Sequence, residues 1–165
     1  MYTSKLLRPG EPFPALSLAL TGGDRLDIPA ALAGHHAVVL MFRGSWCPYC
    51  NAQLRAFERA RDRLDELGVR VVALSVDDEA TTAALIERHH ITFPVGHSAN
   101  ATAVHDAAGA FVHAEPEYIE STGFVLDPAG RVVVSVYSSG AIGRLVPDDV
   151  AGLIRYLRHD TPAAA

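Results

Sequence analysis

Cysteine is scarce here, with only two residues, Cys47 and Cys50, in a chain of 165. That number excludes a disulfide framework holding a small secreted fold. In a reducing compartment, a lone close-spaced pair points to catalysis or metal binding rather than to a structural staple. An excess of positive charge is also missing. Fourteen Lys and Arg stand against nineteen Asp and Glu, a formal net charge of −5. No basic block offers the phosphate-neutralising surface that nucleic acid requires. Long apolar runs are absent too: the longest, residues 37–42, is strand-sized and far short of the roughly 20 residues of a membrane helix. Residues 1–10 lack the apolar stretch of about 7 to 15 residues that a secretory signal needs. Together these absences lead us to expect a cytoplasmic protein with neither nucleic acid nor a membrane as partner.

The residues present describe an ordinary globular chain, with 49% hydrophobic and 20% charged residues. The length suits one domain over 1–165. No internal repeat or Pro/Ser-rich linker divides it, and the only low-complexity tract is the closing run of alanines, 163–165. Residues 11–20 and 25–28 flank Thr21-Gly22-Gly23-Asp24 and predict two short strands around a turn. His36-Ala37-Val38-Val39-Leu40-Met41-Phe42 is a continuous aliphatic run, which predicts a central strand buried on both faces. Leu54, Phe57, Leu64 and Leu67 recur among charged residues and predict an amphipathic helix over 51–67, stopped by Gly68. Residues 69–76 read as a strand. Asp77-Asp78-Glu79 then opens a helix to about His89, giving a strand-helix-strand crossover with parallel strands. Residues 93–95 are extended, 101–107 make a helical turn or two, and 109–120 form a loop. A hairpin of 123–127 and 131–136 turns at Pro128-Ala129-Gly130. The closing helix begins near Pro147, with Asp148 and Asp149 in its first turn and Val150, Leu153, Ile154 and Leu157 on one face.

The Cys-x-x-Cys falls where the central strand gives way to a helix. At a helix N-terminus the free backbone N–H groups and the positive dipole end favour a thiolate. A second cysteine one turn on can close a disulfide onto the first. Three other readings compete. Structural zinc needs four ligands, yet no second pair exists and the eight histidines have no partner spacing; the doublets His35-His36 and His89-His90 read as element boundaries. Two inert core cysteines are the second. The third is a binding or scaffold module without turnover. Arg43 reads either as a solvated strand-end residue or as a guanidinium within about 6 Å of a sulfur. Trp46 and Tyr49 read as an apolar rim on which a partner docks, with a core role open for Trp46.

Trp46-Cys47-Pro48-Tyr49-Cys50 resembles the active site of thioredoxins in its Trp-Cys start and that of glutaredoxins in its Cys-Pro-Tyr-Cys core. The rest of the chain resembles the peroxiredoxins of the alkyl hydroperoxide reductase/thiol-specific antioxidant family. The likeness runs in order through Gly10-Glu11-Pro12-Phe13-Pro14, Leu74-Ser75-Val76-Asp77, Ile91-Thr92-Phe93-Pro94 and residues 124–130. Arg43 through Cys50 resemble the Arg-Gly-x-Trp-Cys-Pro-x-Cys subgroup. Two departures stand out. With the family's peroxidatic cysteine laid on Cys50, Arg43 falls at its usual proline and Cys47 at its threonine. The family's second arginine falls near Ser121. Where thioredoxins place a proline against the disulfide, Thr122 is the substitute.

The resemblance implies an α/β thioredoxin fold: a central mixed sheet flanked by helices, with an N-terminal β-hairpin extension of peroxiredoxin type. It implies a thiol-dependent oxidoreductase that reduces peroxides or protein disulfides. Cys47 is the exposed attacking thiolate and Cys50 the resolver, supported by Arg43, Trp46, Pro48, Tyr49 and Thr122. For peroxide the family alignment instead favours attack by Cys50, so the order stays open. A thiol such as thioredoxin or glutathione regenerates the dithiol. No cofactor or metal is expected, and a homodimer is left open. Arg43→Ala is expected to slow attack while stability changes little.

Overall fold

The computed structural model describes residues 5–160; the first residues of the 1–10 segment and the 163–165 alanine run lie outside the described residues. The run read as a central strand is β3 (His36–Met41). It pairs in parallel with β4 (Val69–Leu74), Val38 facing Val71, and antiparallel with β8 (Thr122–Leu126), Val39 facing Phe124. Its side chains alternate. Val38 and Leu40 join one buried cluster with Leu54, Phe57, Leu64, Val150 and Ile154. Ala37, Val39 and Met41 join the other with Phe13, Ala101, Val104 and Phe124. A strand apolar at every position is therefore covered on both faces.

The seven-stranded mixed sheet runs β2 (Arg25–Ile28), β1 (Leu16–Leu20), β5 (Val95–His97), β4, β3, β8, β9 (Val132–Tyr137). β1 and β2 form the N-terminal hairpin, whose turn has Gly22 and Gly23 at φ +91° and +95°. β1 docks antiparallel on β5, so the hairpin extends the sheet rather than standing apart. At the other edge, β9 returns from β8. The Asp127 carboxylate accepts the N–H groups of Ala129 and Arg131, both at 2.9 Å, and so holds that turn.

The helix read over 51–67 forms as two pieces, α1 (Pro48–Arg59) and α2 (Arg61–Glu66). The Ala60 N–H donates to Ala56 and the Ala60 carbonyl accepts from Leu64, so the run continues across the break. α3 (Glu79–His89) starts at an Asp78 N-cap whose side chain accepts the Thr81 N–H; α4 (Ala101–Ala108) and α5 (Pro147–Asp160) lie near their expected positions. The segment 109–120 is not a plain loop. It contains a separate hairpin of β6 (Val112–Ala114) and β7 (Glu117–Ile119), buried through Ile119 and Tyr118. Among the described residues, no helix is long and apolar enough to cross a membrane.

Candidate active site

After β3 the Phe42 N–H still bonds to the Leu74 carbonyl at 3.0 Å, so the strand keeps its direction up to Arg43. The following turn is pinned at several points. The Ser45 N–H donates to the Asp77 carboxylate at 2.8 Å, Asn51 Nδ2 donates to the Ser45 carbonyl at 2.9 Å, and the Cys47 N–H donates to the Gly44 carbonyl at 3.1 Å. Burial pushes the Asp77 carboxyl up, against the favourable Ser45 N–H. Cys47 is the N-cap of α1 (φ −86°, ψ 113°), and its sulfur accepts the Cys50 N–H at 3.2 Å. Pro48 opens the helix where its missing N–H costs nothing. A thiol in the usual place of a capping hydroxyl thus meets the free N–H groups and positive dipole end of α1.

Two guanidinium groups converge on the sulfurs. Arg43 Nη1 lies 3.8 Å from Cys47 Sγ, inside the expected range, and the Arg43 N–H donates to Cys50 Sγ at 3.3 Å. Arg144, from the segment between β9 and α5, places Nη2 3.1 Å from Cys50 Sγ and 3.7 Å from Cys47 Sγ. Both thiols are free, and each residue has 0% exposed surface. The expectation of an exposed Cys47 is therefore corrected: the turn and both arginines cover it. What distinguishes the two cysteines is electrostatic. Burial opposes ionisation of Cys47, but hydrogen bonds from Cys50 and Arg43 and the charge of Arg144 outweigh it and hold the thiol below its ordinary range. At Cys50 burial dominates, and its hydrogen bond to Cys47 adds to it. That thiol is pushed up to about 11 despite the Arg43 N–H and Arg144.

Arg43 is not a solvated strand end. Its side chain is 16% exposed and its Nε lies 3.1 Å from Glu120 Oε2, a carboxylate 7% exposed; the contact is ionic, at an angle outside hydrogen-bond geometry. Nη2 donates to the Tyr118 hydroxyl at 3.0 Å, and the guanidinium carbon sits 4.9 Å from the Trp46 ring centre. Trp46 and Tyr118 meet edge to face at 5.0 Å, and His113 stacks on Tyr118 at 4.5 Å. Trp46 is 54% exposed and Tyr49 53%, so Trp46 is not a core residue. Thr122 is buried at the start of β8 opposite Met41. Its hydroxyl donates to the Glu120 carbonyl at 3.0 Å, and neither sulfur receives a hydrogen bond from it. Among the described residues no three His, Cys, Asp or Glu side chains gather as metal ligands.

A Cβ built on Gly44 would collide with the Trp46 indole. Gly44→Ala should therefore push Trp46 off Arg43 and Tyr118. The indole is half in solvent and can give way, but Gly44 has φ +159°, a conformation side chains rarely adopt, so the expected cost in stability is about 1 to 3 kcal/mol. Trp46 is the only tryptophan, so a red shift in its fluorescence together with a lowered melting temperature is the expected reading.

Sequence reasoning missed Arg144, Gln53, Tyr118 and Glu120. Arg144 is 94 positions from Cys50, and no local pattern announces it. Gln53 carried a signal: it is a polar residue on the helical face shared by Cys50, Leu54 and Phe57. Tyr118 and Glu120 belong to the segment read as loop.

A cysteine pair at the tip of the helix that follows the central strand, covered by two guanidinium groups, is the setting of a thiol-dependent oxidoreductase, and the family match places the chain in that class within the thioredoxin superfamily. The chain belongs to the AhpC/TSA family, whose model matches residues 9–135, and it is peroxiredoxin-like in fold and sequence. A peroxiredoxin of Methanothermobacter marburgensis is 28% identical over 155 residues, covering 90% of this chain and 72% of the relative. The thiol-disulfide oxidoreductase ResA of Oceanobacillus iheyensis is 28% identical over 100 residues, 59% of this chain and 52% of ResA. Among solved structures, AhpC of Mycobacterium tuberculosis superposes with a TM-score of 0.78 at 20% identity, over 97% of this chain and 98% of that one.

Proposed function

We propose that the protein reduces a hydroperoxide by attack of the Cys47 thiolate, with Cys50 as the resolving thiol. The observation that carries this reading is the pair of guanidinium groups, Arg43 at 3.8 Å and Arg144 at 3.7 Å from Cys47 Sγ. Positive charge there favours the thiolate and the alkoxide or hydroxide that leaves. In the first step the sulfur bonds to the terminal peroxide oxygen and the O–O bond breaks. Sulfur loses two electrons to become a sulfenic acid, and the departing oxygen takes up a proton to leave as alcohol or water. Cys50 then attacks the sulfenic sulfur, a disulfide forms, and the hydroxyl leaves as water. A dithiol reductant of the thioredoxin type returns two electrons by thiol-disulfide exchange, docking on the rim of Trp46 and Tyr49.

Reduced protein given less than one equivalent of hydrogen peroxide should lose two thiols per peroxide and form a disulfide linking the Cys47 and Cys50 peptides. Thiols that persist while peroxide remains would overturn the proposal and leave the scaffold reading. The rate should rise with pH through a midpoint below the ordinary cysteine range, because the thiolate reacts and the folded protein holds the Cys47 thiol down. A rate that climbs only near pH 11 would instead assign attack to Cys50, whose thiol is pushed up to about 11. The partial likeness to ResA favours a second reading, reduction of a protein disulfide by the same pair. Faster reduction of a model protein disulfide than of peroxide would select it.

A further inference from the structure

Gln53 is 8% exposed and lies on the buried face of α1, one turn beyond Cys50. A buried amide is costly unless both its ends are bonded. Here Nε2 donates to the Leu145 carbonyl at 2.9 Å, and Oε1 accepts from Arg144 Nη1 at 2.8 Å. One side chain thus ties two successive residues of the segment before α5 to the helix that carries the cysteines. The segment is fixed from its other side as well. Leu145 lies so close over β8 that a Cβ at Gly123 would meet its Cδ1 at 2.8 Å, and Arg144 Nε donates to the Ala141 carbonyl at 2.7 Å. Of the Arg144 side chain, Nη2 then faces the two sulfurs.

The two guanidinium groups differ in what holds them. Arg43 leans on the carboxylate of Glu120, which offsets its charge. Arg144 is held by an amide and a backbone carbonyl, and among the described residues it makes no salt bridge. We propose that Gln53 is a positioning residue that aims Arg144 at the cysteine pair through a neutral acceptor, so that one guanidinium keeps its charge undiminished at the sulfurs. A glutamate there could still accept from Arg144, though it could not donate to the Leu145 carbonyl, and it would cancel that charge. The other ionisable groups in this neighbourhood are Asp149 on α5, which lines a cavity with Arg144 and Leu145 but makes no salt bridge to Arg144, Arg43 at the end of β3, Tyr118 and Glu120 behind it, and Asp77 on the Ser45 N–H. None contacts Gln53. The effect on rate rests on the peroxidase reading above; the effect on the thiol does not.

The test is the thiol pKa of Cys47, read from the pH dependence of its alkylation by iodoacetamide, with the labelled peptide identified by mass. Gln53→Glu, nearly isosteric, and Gln53→Met, which deletes both hydrogen bonds, should each raise that pKa by about 1 unit. In an Arg144→Ala background, Gln53→Met should add nothing further, because its action passes through the missing guanidinium. An unchanged pKa in Gln53→Glu, or the same shift with and without Arg144, would overturn the proposal. Alkylation does not involve peroxide. A chain that shows these shifts but consumes no peroxide would sink the peroxidase reading and leave the role of Gln53 standing.

Discussion

Cys47→Ser should abolish peroxide consumption, a loss on the order of 10³-fold or more, while the protein stays folded. Serine is a preferred N-cap residue, so the substituted hydroxyl can still accept the Cys50 N–H that the sulfur accepts at 3.2 Å. Cys50→Ser should behave differently. Cys47 keeps its helix-tip donors and both guanidinium groups, so the first attack on peroxide proceeds at near its usual rate. With no thiol to resolve it, the sulfenic acid persists and a carbon nucleophile such as dimedone can trap it on Cys47. Turnover with a dithiol reductant should then slow or stop after one equivalent. The reverse pattern, a trappable sulfenic acid on Cys50 in Cys47→Ser, would exchange the two roles. It would place the reaction where the Arg43 N–H at 3.3 Å and Arg144 at 3.1 Å meet Cys50.

How far this site was legible in the sequence depends on whether each interaction is local. The Cys-x-x-Cys, its strand-to-helix setting and the reach of Arg43 to Cys47 involve residues within seven positions of one another, so pattern and propensity sufficed. The buried strand β3 and the crossover to β4 were legible for the same reason: continuous apolar runs permit few alternatives. The β6–β7 hairpin was not, because its strands have three residues each and alternate too briefly to register. Arg144 sits in an irregular segment where only tertiary contact with Gln53 and Gly123 gives it a place. The family's second arginine falls near Ser121 by sequence position. The positive charge instead comes from Arg144, beyond the matched span of 9–135, and the residue next to Ser121 is Glu120, which pairs with Arg43.

That placement reverses one expectation, that Arg43→Ala would spare stability. In the fold, Arg43 Nε lies 3.1 Å from a nearly buried Glu120, and its removal leaves that carboxylate without its counter-charge. Breaking a buried pair by deleting one partner leaves an uncompensated charge, so Arg43→Ala should destabilise the protein by about 3 kcal/mol. The Cys47 thiol should rise at the same time, because it loses the Nη1 donor. Pairing the substitution with Glu120→Gln separates the two effects. The neutral amide no longer needs a counter-charge, so most of the stability should return, whereas the Cys47 donor stays absent and the thiol stays high. Denaturant unfolding and alkylation against pH, measured on both single variants and the double, complete the cycle. If the double variant is no more stable than Arg43→Ala, the ion pair is not what the fold relies on. If its thiol returns to the starting value, Glu120 rather than Arg43 sets the ionisation of Cys47.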